Sequence, residues 1–277
     1  MARTAGCVGD SLWGHHRVMG GRKATDMAGL RQALRAAAEY RPDPERPPTL
    51  LRLPFTGSWV AGNTPATRVP SHGTHFGGQT YAIDFVPVDE RARTDVSRDW
   101  RTVLATEPVE RFVGFGRPIL APAEGRVVAV FQGEPDHRAR RSPLAVLPYA
   151  LTQGSRLRKG LEAVVGNHVI LELAEGYVLL AHLRAGSVEV RSGDLVSPGQ
   201  PLASCGNSGN STQPHLHLQV MDSPDLLTAR GLPVAFRDYL AWSPGASAPR
   251  RVAVGVPGRR ERVAPAPPEP GSGGAAA

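Results

Sequence analysis

Short runs of strand-forming residues, separated by glycine and proline, dominate the chain from about residue 53 to residue 240. Such runs, rich in β-branched and apolar residues and bounded by turn-forming residues, are typical of β-strands. They read QTYAIDFV, GRVVAV, NHVILEL, YVLLAHL, GSVEV, QPLASC and HLHLQV. Because strand-like runs follow one another without long helical periods between them, this region is predicted to be a mainly β domain.

Two longer stretches, residues 88–116 and 131–163, interrupt the strand pattern. The second is strongly basic, since no acidic residue lies between positions 137 and 160. Its basic residues are Arg138, Arg140, Arg141, Arg156, Arg158 and Lys159. Loops of this length usually have a function or some helical content of their own. Either stretch is a candidate rim of a groove, and a solvated loop is the alternative for the basic one.

The two ends of the chain differ from the β region. Residues 1–52 form an extension with one predicted helix at about 25–41, in which Thr25 is the candidate N-cap and Pro42 stops the helix. The segment 241–277 is rich in proline, glycine and alanine. That composition predicts a disordered tail.

Composition and charge limit the possible partners. The chain has 277 residues, of which 41% are hydrophobic, and a net charge of +7 that comes almost entirely from arginine. Such a charge favours an anionic partner or simply reflects genome composition, and no nucleic-acid-binding motif accompanies it. We therefore expect no specific nucleic-acid partner, and we expect a monomer. Cys7 and Cys205 form no CxxC pair, which argues against a cysteine zinc site. No stretch has the length of a transmembrane span or the pattern of a signal peptide.

Two histidines in the last strand-like run are the strongest functional signal. His215 and His217 are two positions apart, so in an extended strand both imidazoles share one face. Imidazole is the commonest metal ligand and the commonest general base near neutral pH. The pair therefore suggests one zinc ligand and one catalytic base.

The segment SHGTHFGGQTYAIDFVP supplies further candidate ligands, because a catalytic zinc site needs three protein ligands from His, Asp or Glu. It contains His72, His75 and Asp84. Asp84 interrupts an apolar strand and faces away from Ile83 and Phe85. A carboxylate in that setting needs a partner or a metal to offset its desolvation, although an aspartate at a strand end can also cap a turn.

These motifs, taken together and in order, resemble those of the lysostaphin and LytM type zinc metallopeptidases. In that family a first motif pairs a histidine with an aspartate, and a second motif is HxH. The resembling segments are THFGGQTYAIDF, GRPILAPAEGRVVAV, GNHVILEL, YVLLAHL and GSVEVRSGDLVSPGQPLASCGNSGNSTQPHLHLQV. The resemblance implies a compact antiparallel β-sandwich or half-barrel of the duplicated hybrid motif type, with a groove.

The resemblance also implies roles for individual residues. Asp84 and His217 would bind one zinc ion per chain together with a histidine of the first motif, and His182 and His215 would be catalytic. His75, which eight residues separate from Asp84, fits a longer variant of the first motif. His72, which eleven residues separate from Asp84, is the alternative ligand or a residue that orients one.

Strand parity supports the assignment of His182. In an unbroken strand His182 lies on the face opposite Tyr177, Leu179 and Ala181, and a residue that faces the site is expected there. His168 shares a strand face with Glu172 and is predicted to lie on an edge strand.

The function implied by the resemblance is zinc-dependent hydrolysis of peptide bonds in peptidoglycan cross-bridges or stem peptides. Such a substrate predicts a cell-envelope or secreted protein, while the chain itself leaves the location open. The alternative is a catalytically silent domain of the same fold that binds cell wall or regulates another hydrolase. Lipoyl and biotinyl carriers share similar paired strands, but between positions 24 and 158 the chain has no lysine to modify. A phosphohistidine domain would leave Asp84 without a role.

Overall fold

The structure, a computed structural model, describes residues 26–96, 101–142 and 160–267. It is mainly β, which confirms the predicted fold class. In this part of the chain, three α-helices accompany the strands: α1 (Met27–Glu39), α2 (Arg101–Leu104) and α3 (Glu162–Val165), with 3₁₀ helices at Phe76–Tyr81 and Val109–Arg111. No helix in the described ranges is long and apolar enough to cross a membrane.

Within the described ranges, twelve of the fourteen strands form one open sheet. The strands are β1 (Thr49–Leu51), β2 (Trp59–Ala61), β3 (Ile83–Pro87), β4 (Pro118–Leu120), β5 (Gly125–Phe131), β6 (Asn167–Leu173), β7 (Gly176–Leu183), β8 (Leu195–Val196), β9 (Pro201–Ser204), β10 (Leu216–Met221), β11 (Gly231–Leu232), β12 (Val234–Trp242), β13 (Arg250–Gly255) and β14 (Arg262–Pro265). The main path of the sheet is β1-β12-β14-β2-β3-β10-β7-β6-β5-β8, with β11 beside β10 and β13 beside β12. Strands β4 and β9 pair separately.

The centre of the sheet has one face in the main core and one face in a groove. On the core side, Ile83 and Phe85 of β3 pack with Leu218 of β10 and with Val178 and Leu180 of β7. Side chains alternate between the two faces along each strand, so the intervening residues of these three strands line the groove. Through this alternation, β3, β10 and β7 together form one continuous wall of the groove.

Two of the predicted strand features are wrong in detail. GSVEV, at positions 186–190, is not a strand; Gly186 lies in a turn with φ of +70°, where the chain reverses after β7. His168 is buried on β6, which lies between β5 and β7 and is not an edge strand.

Helix α1 begins two residues later than predicted, and its N-cap is Asp26. The Asp26 carboxylate accepts hydrogen bonds from the backbone N–H groups of Ala28 and Gly29, at 3.1 and 3.3 Å. Thr25, the predicted cap, lies outside the described residues. Leu30 is the one helix residue that is buried, as expected for a helix packed loosely at the edge of a domain.

The predicted disordered tail, residues 241–277, contains two strands of the sheet. β13 pairs with β12, and β14 lies between β12 and β2. The prediction of disorder was therefore wrong for residues 250–265, because two short strands among prolines and glycines carry too little pattern to stand out. Residues 268–277 lie outside the described part of the chain. At the other end, β1 pairs with β12, so the sheet reaches beyond the predicted limits 53–240 on both sides.

The two predicted insertions are joined by a buried ion cluster. Arg141 contacts Asp95 and Glu107, and its Nη2 is 2.9 Å from a carboxylate oxygen of Glu107, which is fully buried. Burial lowers the pKa of Arg141, but the hydrogen bonds that it donates to Glu107 and Asp95 outweigh this effect and raise the pKa overall. Part of the basic charge is thus internal and not a solvated run. Residues 143–159, with Arg156, Arg158 and Lys159, lie outside the described ranges.

The position of β14 in the sheet makes a prediction about stability. Val263 of β14 is fully buried, and we expect Val263→Ala to lower the free energy of unfolding by about 2 kcal/mol, through lost burial and a residual cavity. The matched control is Val254→Ala on β13, where the side chain is 53% exposed, and for which we expect a change below about 0.5 kcal/mol. Urea denaturation of both variants measures the difference. Equal stability of the two would contradict the insertion of β14 between β12 and β2.

Candidate metal centre and groove

A groove with a volume of about 700 Å³ lies over the inner face of β3, β10 and β7. Asp84 projects into it from β3, His217 and Gln219 from β10, and His182 from β7. Loops complete its wall with His72, Asn63, Asn210, Thr212, Gln213 and His215. Four histidines and one carboxylate therefore share a single groove.

Asp84, His72 and His217 form the tightest cluster in the groove. One Asp84 oxygen, Oδ2, is 3.1 Å from His72 Nε2, and the other, Oδ1, is 3.0 Å from His217 Nδ1. Asp84 and His217 are directly opposite each other in the β3–β10 pairing. Among the described residues, these three are the group whose ligand atoms, all within 4.8 Å of one another, could hold a metal ion.

The Asp84 carboxylate is ionised despite its burial. Burial raises its pKa, but His217 and His72, which hydrogen-bond to the carboxylate when their rings are protonated, outweigh this effect and hold the pKa well below the ordinary value for aspartate. Asn63 Nδ2 donates a further hydrogen bond to Oδ2 at 2.9 Å. The opposite shift occurs at His217, where burial lowers the pKa but the contact with Asp84 raises it overall.

The orientation of His217 is set by Gln219, two positions further along β10. The Gln219 amide donates from Nε2 to the Gly77 carbonyl at 2.7 Å, which directs its Oε1 toward His217 Nε2, 2.9 Å away. Because Oε1 can only accept, His217 carries its hydrogen on Nε2. In the neutral ring, the Nδ1 lone pair then faces the Asp84 carboxylate.

The same logic applies to His72. The Ser71 hydroxyl donates to the Gln79 carbonyl, so its oxygen is left to accept a hydrogen bond from His72 Nδ1 at 3.0 Å. The lone pair of the neutral ring is then on Nε2, which faces Asp84.

Three electron-pair donors therefore converge on one point without a hydrogen between them. Such an arrangement is unfavourable unless a cation lies there, whether a proton on one ring or a metal ion. Two imidazoles and one carboxylate are the ligand types that zinc takes in catalytic sites, and outer nitrogens held by hydrogen bonds are the usual second layer of such sites. The donor set of this cluster fits a zinc ion.

His75 is not part of the cluster, so the sequence preference for His75 over His72 differs from the geometry. His75 Nδ1 is 3.0 Å from Thr80 Oγ1, and its ring packs edge-on against Tyr40, with centroids 5.4 Å apart. Between His75 and Asp84 the chain passes over β10 with Gly77 and Gly78 at φ of 67° and 78°. Spacing along the sequence does not reveal such a crossing.

His182 reaches the groove through a β-bulge. In the β6–β7 pairing, Asn167 is opposite Leu183 and His168 is opposite Ala181, which leaves His182 unpaired. Its φ is +62°, a left-handed conformation. Leu179 and Ala181 line the groove, so parity in a regular strand would turn His182 toward the core. The parity argument was therefore wrong, and the bulge re-aims the side chain.

His215 lies just before β10 and is held by its own loop. Its Nδ1 is 2.8 Å from the Gln213 carbonyl and 2.9 Å from Ser211 Oγ. The Nδ1 of His182 is likewise 2.9 Å from the Ser208 carbonyl. Because carbonyl oxygens only accept, both rings carry hydrogen on Nδ1, and each Nε2 is left with a lone pair.

These two histidines form a second pair beside the cluster. Their ring centroids are 4.7 Å apart, and His215 Nε2 is 3.6 Å from Asp84 Oδ1. Burial lowers the pKa of both rings, and that of His182 falls well below the ordinary value for histidine. Both rings are consequently neutral near pH 7 and able to accept a proton on Nε2.

Three residues of the site were missed from the sequence. Gln219 follows His217 at the two-residue spacing of a strand, so the pattern that identified the histidines also reaches it. Ser71 and Asn63 carry no such signal, because they lie on loops whose approach to Asp84 depends on the fold.

Comparison with solved structures finds distant likenesses. The catalytic domain of lysostaphin from Staphylococcus simulans is 19% identical over 64% of this chain and 88% of that chain, with a TM-score of 0.33. The catalytic domain of the prophage-encoded M23 protein EnpA from Enterococcus faecalis is 17% identical over 55% and 73%, with a TM-score of 0.32. A zinc-containing peptidase from Vibrio cholerae is 18% identical over 54% and 48%, with a TM-score of 0.29.

Comparison of the sequence with protein-family models gives a match to one part of the chain. No curated protein matches the chain, but residues 148–228 match the model of peptidase family M23. The matched segment contains His182, His215 and His217, whereas His72 and Asp84 precede it. The resemblance indicated by the motifs is thereby confirmed, since the segment that carries three of the groove histidines matches the model of peptidase family M23.

Proposed function

We propose that the protein is a zinc-dependent metalloendopeptidase whose zinc is held by His72, Asp84 and His217. The observation that carries the proposal is the convergence of two imidazole lone pairs and a carboxylate on one point of the groove. The neighbouring pair, His182 and His215, adds two neutral bases that the ligand set does not use. Metal ligands and proton acceptors in one groove are the parts that hydrolysis of a peptide bond needs.

The proposed division of labour follows from the tautomers. Zinc, when bound, would polarise the scissile carbonyl and lower the pKa of water. His215 and His182, with free Nε2 atoms, would take the proton of the attacking water. Either ring, once protonated on Nε2, would donate to the developing oxyanion or to the leaving amine. The backbone carbonyls of Gln213 and Ser208 would keep both rings oriented throughout.

The substrate class is proposed from the family and from the shape of the site. The groove crosses three strands and is lined by both polar and apolar side chains, which suits an extended peptide better than a small compact molecule. Within the family resemblance, peptides of bacterial peptidoglycan, in cross-bridges or stems, are the substrates we infer. A catalytically silent domain would retain the groove without turnover.

The ligand set is tested by a matched pair of histidine variants. We expect His72→Ala to lose bound zinc, because it removes a lone pair from the cluster, and His75→Ala to retain about one zinc per chain. Zinc content by mass spectrometry of the purified proteins decides between them. The opposite result, with zinc lost only from His75→Ala, would sink the ligand scheme and restore the preference drawn from the sequence.

The division between His217 and His215 makes a separate prediction. His217→Ala should lose both zinc and activity, since it removes a ligand. His215→Ala should keep zinc and lose roughly 10²- to 10⁴-fold in kcat, the usual contribution of a positioned general base. The assay is cleavage of peptidoglycan peptides in parallel with zinc analysis. Full turnover by His215→Ala would exclude it as the base, and zinc-loaded wild type without turnover would indicate the silent domain.

Gln219 is expected to act through His217. Gln219→Leu removes the acceptor that holds the His217 tautomer, and we expect it to weaken zinc binding by roughly 10- to 100-fold. Gln219→Glu, which keeps an acceptor oxygen, should restore most of the affinity. Competition with a chelating dye measures both constants. Unchanged affinity in Gln219→Leu would show that the tautomer of His217 does not depend on Gln219.

A further inference from the structure

Arg259 stands out among the side chains that line the groove. It is the one with a permanent positive charge among the described lining residues, where the remaining charged or titratable groups are Asp84 and the histidines. Within the described residues its guanidinium makes no hydrogen bond or ion pair. A free guanidinium in a binding groove is a ready partner for a carboxylate.

The nearest acidic group in the same turn is already engaged. The two carboxylate oxygens of Glu261 accept hydrogen bonds from Arg250 Nη2 at 2.7 Å and from the Gly258 N–H at 2.9 Å. Glu261 is also buried, whereas Arg259 is exposed to the groove. Glu261 therefore does not neutralise the charge of Arg259.

The backbone that carries Arg259 is fixed. Arg259 and Arg260 are the central residues of a turn in which the Glu261 N–H donates to the Gly258 carbonyl at 3.0 Å. Arg260 N–H donates to the Ala61 carbonyl at 2.8 Å, and Thr64 Oγ1 donates to the Pro257 carbonyl at 2.7 Å. These hydrogen bonds hold the backbone of the turn in place, whereas no such bond in the described ranges holds the Arg259 side chain.

The position of this turn places Arg259 at the Asp84 end of the groove. The segment that holds the turn, residues 61–64, pairs with β3 on its other side, where Gly62 N–H donates to the Asp84 carbonyl at 2.8 Å. The far end, beyond β7, is lined by Leu161, Val164 and Val165. In the sheet order β2-β3-β10-β7-β6, the groove thus has the Arg259 guanidinium at its β2 end and an apolar wall at its β6 end.

We propose that Arg259 binds a carboxylate of the substrate peptide, so that the enzyme prefers peptides with an acidic group on the Asp84 side of the scissile bond and uncharged residues on the other side. This inference rests on the proposed function, because it assigns a specificity residue to the same groove. It narrows the substrate class to anionic peptides, with the carboxylate supplied by an acidic side chain or by a peptide C-terminus.

The test compares two pairs of synthetic alanyl-glycyl peptides. One pair differs only in a C-terminal carboxylate or carboxamide, and the other, with both C-termini amidated, differs in an internal Glu or Gln. Calorimetric titration of the metal-free protein measures binding without turnover, and KM and kcat follow with the zinc-loaded protein. We expect the acidic member of at least one pair to bind roughly fivefold more tightly, the range of an exposed charge pair. The pair that responds identifies the source of the carboxylate.

The variants are Arg259→Gln and, as a matched control, Arg260→Gln, which removes the same charge from the neighbouring exposed position. Arg259→Gln should abolish the preference by raising KM for the acidic peptide alone, while Arg260→Gln should retain it. Equal binding of acidic and neutral peptides by wild type, or a preference that survives in Arg259→Gln, would overturn the inference. A preference that depends on Arg259, without hydrolysis by zinc-loaded protein, would uphold this inference and reject the proposed function.

Discussion

The groove depends on one largely buried carboxylate, Asp84, which contacts the ring nitrogens of two histidines and the side-chain amide of Asn63. Burial of an ionised carboxylate is costly unless hydrogen bonds or a cation compensate it. In the described structure Asn63 supplies one direct hydrogen bond, while His72 and His217 direct their lone pairs at it when neutral. A cation shared among the three groups removes this repulsion. Without a cation, the arrangement would be unfavourable.

The sheet brings these groups together through register and one irregularity. Because Asp84 and His217 are cross-strand partners, their side chains meet without any contribution from loops. The bulge at His182 then adds a third strand to the site, since regular alternation would have sent that imidazole into the main core. A non-glycine residue with positive φ is strained. The strain at His182 is consistent with a functional position, where the orientation of the side chain outweighs the local cost.

The part of the site that could be predicted from the sequence is the part built on regular strands. The two-residue period of HLHLQV predicts that His215 and His217 share one face, and both line the groove, while alternation around Asp84 separates it from Ile83 and Phe85. The choice between His72 and His75 was not accessible in this way, because it depends on the path of a loop that crosses β10 through two left-handed glycines. His182 was found through the family resemblance, and the parity argument offered for it fails because a bulge changes the period.

The strands β13 and β14 were missed because short strands among prolines and glycines carry little periodic pattern. β14 nevertheless supports one side of the groove. β14 pairs with β12 on one side and with β2 on the other, where Val60 is opposite Arg262. Residues 62 and 63 follow β2 directly, and Asn63 is the residue that donates to the Asp84 carboxylate. β14 therefore supports the segment that contacts Asp84 in the proposed metal site, although more than 170 residues separate Asp84 from Arg262. The arrangement of this proposed site thus rests on long-range pairing of β14 with β2, and the same pairing brings Arg259 to the groove.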